Sequence, residues 1–126
     1  MAEVTPIFAN GASPFTMQAS AAVTGGRLVE NTGGTSNGQV GPAGAASVKV
    51  VGYAANDQAT VGAKVPVWPL PGLVFEILCT GTVAAGDNLA AGVNGTVVPI
   101  AAGTFGQLVG VALTGATDLP IRFIGR

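Results

Sequence analysis

The sequence predicts a small all-β protein, and three features of the chain support this fold class. Short runs rich in valine, leucine and isoleucine are separated by turn residues, with 20 glycines and 8 prolines in 126 residues. Several runs alternate apolar and polar residues with the period of two that is typical of strands. An internal repeat, described below, indicates two similar β units. The pattern fits an antiparallel barrel or a sandwich and does not decide between them.

A chain of this length is expected to form one domain with its own core. Residues 1–18 contain two prolines, an Asn-Gly step and spaced apolar side chains without a regular period. They are therefore predicted to form an extended N-terminal arm. Residues 19–126 are predicted to form a single β domain.

Alternation with a period of two assigns side chains to one face in three of the runs. In the second of them Glu76 falls on the opposite face, and Cys79 is expected to be a small core residue. The residues that share a face in each run are Val48 and Val50, then Leu73, Phe75, Ile77 and Cys79, and finally Leu119, Ile121 and Phe123.

The internal repeat consists of four short motifs that recur in the same order. They lie at 23–28, 40–43, 51–54 and 65–68 in the first half, and at 83–89, 97–101, 109–112 and 119–122 in the second. The offsets between them are 60, 57, 58 and 54 residues. Two tandem β-meanders are predicted, at about 19–70 and 76–126, each burying its apolar face against the other.

Pro66 and Pro120 occupy matching places in this alignment, inside strand-like runs. Proline has no N–H to donate to a β-ladder, so both strands are expected to lie at an edge or a bulge. A proline at an edge also protects it against pairing with other chains.

The composition indicates a protein that associates with copies of itself or with a partner. Only 9% of the residues are charged, while 48% are apolar, and a typical soluble domain has about 25% charged residues. Such a chain has few groups with which to keep large surfaces hydrated. The net charge is −1 at pH 7 and Lys and Arg are not clustered, so nucleic acid is not an expected partner.

The residue types that catalysis and metal binding require are scarce. The chain has no histidine and a single cysteine, which removes the usual metal ligand, the usual proton shuttle and any internal disulfide. The acidic residues are scattered singly, whereas acid–base catalysis needs carboxylates brought together. Asp87 is expected to cap a turn and Asp57 to be a loop residue. We therefore predict no enzyme activity, no cofactor and no metal site.

Three further motifs have structural interpretations. Residues 33–38 are glycine-rich but lack the ending of a phosphate-binding loop, so a surface loop is expected. Asn94-Gly95 is expected to form a hairpin turn. Trp68, Pro69 and Pro71 form a polyproline-like segment, which is interpreted as a stiff connector between the halves, with docking to a partner as the alternative.

A membrane span and a signal peptide are not expected. Residues 88–117 carry no charge and are long enough to cross a bilayer. Asn94, Pro99 and Gln107 interrupt this stretch and would leave polar groups unsatisfied in lipid. The N-terminal residues lack a basic start and an apolar run, so synthesis and residence in the cytoplasm are expected.

Several segments resemble a family of phage proteins. Residues 4–8, 23–29, 50–55 and 86–89 look like the capsid cement family of tailed bacteriophages, and this similarity extends over nearly the whole chain. Residues 51–60, followed by 65–68 and 75–76, are also similar to the head decoration protein of lambda-like phages.

The resemblance implies a β-barrel or β-tulip subunit that binds the outer surface of an expanded phage head as a homotrimer. Such a subunit bridges neighbouring copies of the major capsid protein and belongs to the virion. The resemblance also implies an N-terminal arm that becomes ordered on the shell. Thr5, Pro6, Ile7 and Phe8 fall in that arm, and Phe15 lies near its end. An extended segment with few charges can add to a sheet edge of a partner.

Two other classes of function remain open. One is a head fibre, spike or receptor-binding module whose loops bind carbohydrate. It would need clustered aromatic or polar side chains on loops, whereas the seven aromatic residues fall mostly in or beside strand-like runs. The other is a small hydrolytic β-barrel, which the missing catalytic pairs disfavour.

Overall fold

The computed structural model describes residues 4–33, 38–101 and 104–126. In these residues the regular structure consists of β-strands and two single turns of 3₁₀ helix, at Val93–Gly95 and Phe105–Gln107. Neither turn, nor any other described segment, is a helix long and apolar enough to cross a membrane.

The predicted all-β fold class is confirmed. The strands are β1 (Phe15–Ala19), β2 (Leu28–Gly33), β3 (Gln39–Pro42), β4 (Val50–Ala54), β5 (Lys64–Trp68), β6 (Val74–Leu78), β7 (Thr82–Val83), β8 (Asn88–Ala91), β9 (Val97–Pro99), β10 (Gly110–Ala112), β11 (Ala116–Thr117) and β12 (Pro120–Gly125).

The main strands form two five-stranded units that follow each other along the chain, a closed barrel and a sheet whose edges are joined by a single bridge, which is called the second barrel below. In the first barrel (residues 15–68) the order of neighbours is β1-β3-β2-β4-β5, and β5 pairs with β1 to close it. In the second barrel (residues 74–125) the order is β6-β12-β10-β8-β9. A parallel bridge between Cys79 and Val97 joins the two edges of the second sheet.

The two barrels have the same connectivity. Strands β1 to β5 correspond in order to β6, β8, β9, β10 and β12, and the matching pairs run in the same relative directions. The parallel contact between β1 and β3 has its counterpart in the Cys79–Val97 bridge. The repeat in the sequence is therefore a repeat of one barrel topology.

The strand register corrects the last of the four predicted offsets. Val65 in β5 pairs with β1 at the place where Ile121 in β12 pairs with β6. The offset in these strands is 56 residues (65 to 121) rather than 54. Pro66 therefore corresponds to Arg122, and its predicted match with Pro120 was wrong. The offset falls from 58 for β4 and β10 to 56 for β5 and β12, because the segment between β10 and β12 is two residues shorter than the segment between β4 and β5.

Neither proline lies in an edge strand, which corrects a second expectation. β5 pairs with both β1 and β4, and β12 pairs with both β6 and β10. The carbonyl of Pro66 accepts a hydrogen bond from Ala55, the residue after the end of β4. The backbone nitrogen of Pro66 points to the same side of β5 as its carbonyl, toward β4. Because β4 ends at Ala54, the missing N–H lies beyond the last pair of the ladder. Pro120 is the first residue of its strand, a position that proline tolerates.

Two clusters of buried apolar side chains form the core. The smaller cluster, which contains Met17, Val40 and Val65, fills the first barrel. The larger cluster fills the second barrel and continues into its contact with the first, where Leu28 and Trp68 contribute from the outer face of the first barrel. The two halves therefore bury apolar surface against each other, and the first half also closes around a core of its own.

The predicted boundaries of the arm and of the halves shift by a few residues. β1 begins at Phe15, so the last part of the predicted arm, residues 15–18, is strand. It is strand because Met17 and Ala19 are needed to fill the first barrel. β6 begins at Val74, ahead of the predicted start of the second half at residue 76.

The predicted assignment of side chains to strand faces is correct within the strands and wrong at their ends. Leu73, Phe75, Ile77 and Cys79 are all buried and Glu76 is exposed, as alternation predicted. Leu119 is 60% exposed although Ile121 and Phe123 are buried, because it lies in the turn before β12. Val48 is exposed for the same reason, since it precedes β4.

The predicted hairpin turn at Asn94-Gly95 is confirmed and joins β8 to β9. Asn94 has φ 55° and Gly95 has φ 72°, the combination that a type I′ turn requires. The N–H of Gly95 donates to the carbonyl of Ala43 at 2.8 Å. A Cβ on Gly95 would lie 2.9 Å from the backbone nitrogen of Leu28. The tip of this hairpin therefore packs directly on the first barrel.

Candidate functional site

The N-terminal segment from Val4 to Phe8 lies across the line where the two barrels meet. The N–H of Val4 donates to the carbonyl of Ala55 in the first barrel at 2.6 Å. The N–H of Ile7 donates to the carbonyl of Val74 in the second barrel at 2.7 Å. Phe8 forms an antiparallel bridge with the same residue. The segment is thus held to both barrels through its backbone.

The side chains of this segment are exposed and apolar. Ile7 is 49% exposed and Phe8 is 54% exposed, and Thr5 is exposed as well, while Pro6 is half-buried. No charged residue occurs between residues 4 and 26. We refer to Thr5, Pro6, Ile7 and Phe8 as the N-terminal apolar segment. A surface of this kind is a candidate contact for another protein.

Phe15, which was predicted to belong to the same arm, has a different setting. It is the first residue of β1 and pairs with Val67 of β5. Its side chain shares the inner face of the first barrel with Met17 but lies at the open end, where it is 42% exposed. The structure therefore separates Phe15 from the N-terminal apolar segment.

The connector between the barrels is fixed by both of them. Trp68 is buried, and its Nε1–H donates to the carbonyl of Val4 at 3.2 Å. Pro71 forms a bridge with Gly125 at the end of the second barrel. Pro69 is half-buried and Pro71 is exposed. Of the predicted contact residues in this segment, Pro71 is the one most accessible to a partner.

Tyr53 is the most strongly perturbed ionisable group at the contact between the barrels. Its hydroxyl donates to the backbone carbonyl of Glu76 at 2.8 Å. Its ring packs against Phe75 with the ring centroids 4.4 Å apart. Burial, and to a smaller extent the negative charge of Glu76, raises the pKa of Tyr53 to about 12. Both effects disfavour the tyrosinate, so this group supports the contact rather than proton transfer.

A groove on the second barrel was not found from the sequence. It has a volume of about 280 Å³ and is lined mainly by small apolar residues, among them Ala46, Ala90, Val93, Val98 and Pro99. Its lining carries no charge. The uncharged stretch at residues 88–117 supplies most of the lining. Its lack of charge was the one feature of the sequence that could have indicated the groove.

The carboxylates have structural roles. Asp87 accepts a hydrogen bond from the N–H of Ala84 at 3.0 Å, which confirms its predicted place as a turn cap. Asp57 accepts from the N–H of Gly25 at 2.7 Å. Among the described residues, no three His, Cys, Asp or Glu side chains are grouped so as to hold a metal ion. Asp57 and Asp87 are thus engaged in hydrogen bonds with the backbone.

Comparison with known proteins shows a similar fold among solved structures. No protein-family model and no curated protein matches the chain. The structure is similar to the crystal structure of the N base of head fibre gp8.5 of bacteriophage phi29, with a TM-score of 0.71 and 22% sequence identity. The match covers 90% of this chain and 92% of that chain. At this identity the similarity shows a shared fold over nearly the full length of both chains.

Proposed function

We propose that the chain is a structural protein of a phage virion that binds the outer surface of the expanded head. The observation that carries the proposal is the N-terminal apolar segment, which exposes Ile7 and Phe8 in a stretch of the chain without charged residues. The fold shared with the base of a phage head fibre supports the same class of function. The partner in this proposal is the major capsid protein, and the bound state is a homotrimer.

The way in which the segment is held suits a contact with a lattice. Its backbone is bonded to both barrels, so the exposed side chains are already positioned and little ordering entropy is lost on binding. Ile7 and Phe8 are already about half-buried, so completing their burial would contribute roughly 0.8–1.5 kcal/mol for each side chain. Because each copy bridges neighbouring capsid proteins, many such contacts on one shell add up through avidity.

The proposed effect on the head follows from linkage. A ligand that binds one of two states shifts the equilibrium toward that state. If the contact site exists only between capsid proteins of the expanded lattice, binding of this chain stabilises that lattice. No chemical step is needed, which agrees with the structural roles of Asp57 and Asp87.

The test is co-sedimentation with expanded heads that lack the protein. The double variant Ile7→Asp with Phe8→Asp removes the apolar side chains and leaves the backbone bonds in place. We expect its affinity for heads to fall by about 100-fold, which corresponds to the loss of about 3 kcal/mol. The matched control is Val61→Asp, which places the same charge at another exposed apolar residue. Binding of the double variant at the wild-type level would overturn the proposal.

A second candidate is the base of a head fibre, which the shared fold with the gp8.5 base favours. A cement protein and a fibre base would both sediment with heads, but only the first is expected to stabilise the shell. Thermal disruption of heads with and without bound protein separates the two. A rise in the temperature of disruption supports the cement function, and an unchanged temperature despite full occupancy supports the fibre base.

A further inference from the structure

The repeat makes a buried surface of the first barrel equivalent to an accessible surface of the second. On the first barrel Leu28, Tyr53 and Trp68 lie directly beside one another on β2, β4 and β5. All three point away from the interior of the first barrel and are buried under the second. Phe75, at the end of the second barrel, stacks on Tyr53 from the other side of this contact.

The same row exists on the second barrel. The register places Asn88, Val111 and Ile124 directly beside one another on β8, β10 and β12. Val74 of β6 pairs with Ile124 and continues the row. We call these four residues the second-barrel row. Asn88 is exposed and the three apolar side chains are partly exposed. The counterparts of Asn88, Val111 and Ile124 on the first barrel, which are Leu28, Tyr53 and Trp68, are buried.

The complementary surface also has an accessible counterpart. Phe75 pairs with Phe123 in the second barrel as Phe15 pairs with Val67 in the first, so Phe15 is the equivalent of Phe75. Phe75 is fully buried because Tyr53 and Phe123 pack on it. Phe15 is 42% exposed at the open end of the first barrel. Each half of the contact between the barrels thus recurs once in an accessible position, as the second-barrel row and as Phe15.

We propose that a second copy of this chain occupies this surface, with Phe15 of one copy packed against the second-barrel row of the next. This contact repeats between chains the one that Phe75 and Tyr53 make within the chain. The two surfaces differ, so the association is head-to-tail and closes into a ring when the rotation permits. Three copies would place six barrels in one ring. The inference does not depend on capsid binding.

The chemistry of the row favours a copy of this chain over an unrelated partner. The contact between the barrels already shows that these two shapes fit, because the two barrels share one topology. Val111 stands where the first barrel has Tyr53, and Asn88 stands where it has Leu28. Smaller and more polar residues make the contact between chains weaker than the contact within the chain. The assembly is therefore expected to depend on protein concentration.

The first experiment is molecular mass by sedimentation equilibrium across the range from about 1 μM to about 1 mM, in which weak contacts associate. The wild-type chain should form an oligomer. Phe15→Lys and Val111→Asp should each abolish it, while Leu119→Asp, at an exposed apolar residue away from both surfaces, should not. A wild-type chain that stays monomeric over the whole range overturns the proposal.

The second experiment tests the head-to-tail geometry and does not rely on loss of function. A mixture of Phe15→Lys and Val111→Asp chains retains one intact pair of surfaces, the Phe15 end of one variant and the row of the other. The mixture should form dimers and nothing larger, although each variant alone is monomeric. Failure of the mixture to dimerise, with both variants folded by circular dichroism, overturns the head-to-tail contact.

A cross-link locates the contact in the wild-type assembly. Cys79 is buried, so cysteines introduced by Phe15→Cys and Val111→Cys are the reactive ones. Oxidation of the doubly substituted chain should give a covalent ring, and oxidation of the two single variants mixed together should give covalent dimers. Cross-linked dimers from either single variant alone would instead indicate a symmetric contact and contradict the proposal.

Discussion

Tyr53 of the first barrel donates its hydroxyl hydrogen to the backbone carbonyl of Glu76 in the second barrel, at 2.8 Å. The bond crosses the contact between two barrels of the same topology, and the ring of Tyr53 lies 4.4 Å from that of Phe75, centroid to centroid. Because the side chain is buried, its protonation state is linked to the stability of the whole fold.

The raised pKa of Tyr53 predicts a loss of stability in strongly alkaline solution. Burial first, and the charge of Glu76 second, raise the pKa to about 12 from the ordinary value of 10.0. A group with a raised pKa stabilises the fold fully below its unfolded pKa, and the contribution is lost as the pH rises through the folded pKa. Between pH 10 and pH 12 the free energy of unfolding should fall by about 2 to 3 kcal/mol.

Tyr53 is the only tyrosine in the chain, so ultraviolet absorption of tyrosinate reports it directly. The midpoint should lie near 12 in the folded protein and near 10 in denaturant. Tyr53→Phe serves as the control. At neutral pH its free energy of unfolding should be about 1 kcal/mol lower because of the lost hydrogen bond. The further fall between pH 10 and pH 12 should be absent in this variant. A folded protein that titrates near pH 10 would contradict the assignment.

Gly52 and Gly110 are predicted to be intolerant of any side chain. Gly52 lies opposite Val29 in β2, as Gly110 lies opposite Leu89 in β8. A Cβ at Gly52 would overlap the carbonyl oxygen of Trp68, and one at Gly110 would overlap the carbonyl oxygen of Ile124. Backbone atoms cannot move aside as side chains can. Each change to alanine should therefore destabilise the fold by more than about 3 kcal/mol.

The matched control for these glycines is Gly106→Ala. The nearest atom to a Cβ there is a methyl carbon of Val48 at 4.0 Å, so the free energy of unfolding should change by less than about 1 kcal/mol. Chemical denaturation of the three variants measures the difference. Similar stabilities for Gly52→Ala and Gly106→Ala would show that the barrels are not packed as described.

Trp68 is predicted to report whether the N-terminal segment is docked. It is the only tryptophan, and its Nε1–H donates to the carbonyl of Val4. Deletion of residues 1–8 removes this acceptor and the cover that Val4 provides. The fluorescence emission should move to longer wavelength because water reaches the indole. Ile7→Asp leaves Val4 in place and should leave the emission unchanged, and an unshifted spectrum in the deleted chain would contradict the docking.

Cys79 is predicted to be unreactive in the folded protein. It is buried, and its thiol lies 3.2 Å from the carbonyl oxygen of Leu119, to which it can donate. A thiol reagent needs access to the thiolate. The single cysteine should therefore react only on unfolding, with one equivalent per chain in concentrated guanidinium chloride. Rapid reaction under native conditions would show that the second barrel opens locally near the Cys79–Val97 bridge.

The all-β fold class and the tandem repeat could be predicted because they depend on local patterns. Alternation with a period of two placed Phe75 and Ile77 in the core correctly, because buried strands select apolar residues at every second position. Asn94-Gly95 was recognised as a hairpin turn, because positive φ at both positions favours that pair of residues. The failures lie where strands end: nothing in the sequence around Leu119 shows that the strand starts one residue later.

The candidate site could be predicted only in part. The resemblance to the cement family placed Thr5 to Phe8 in a contact arm, and Ile7 and Phe8 are exposed. Phe15 was predicted to belong to the arm and Trp68 to a connector, and the structure places Phe15 at a barrel end and buries Trp68 between the barrels. Their exposure depends on contacts with residues far away in the chain, and a single sequence does not specify those contacts.

The sequence by itself determined the all-β fold class, the tandem repeat and the scarcity of catalytic residue types, since composition and local periodicity are enough for these. The tertiary structure decided the register of β5 and β12, the docking of the second barrel on Tyr53, and the exposure of Phe15. The physical reason is that the period of two along a strand determines which face of the strand is buried. The packing between distant segments of the chain determines which residues cover that face.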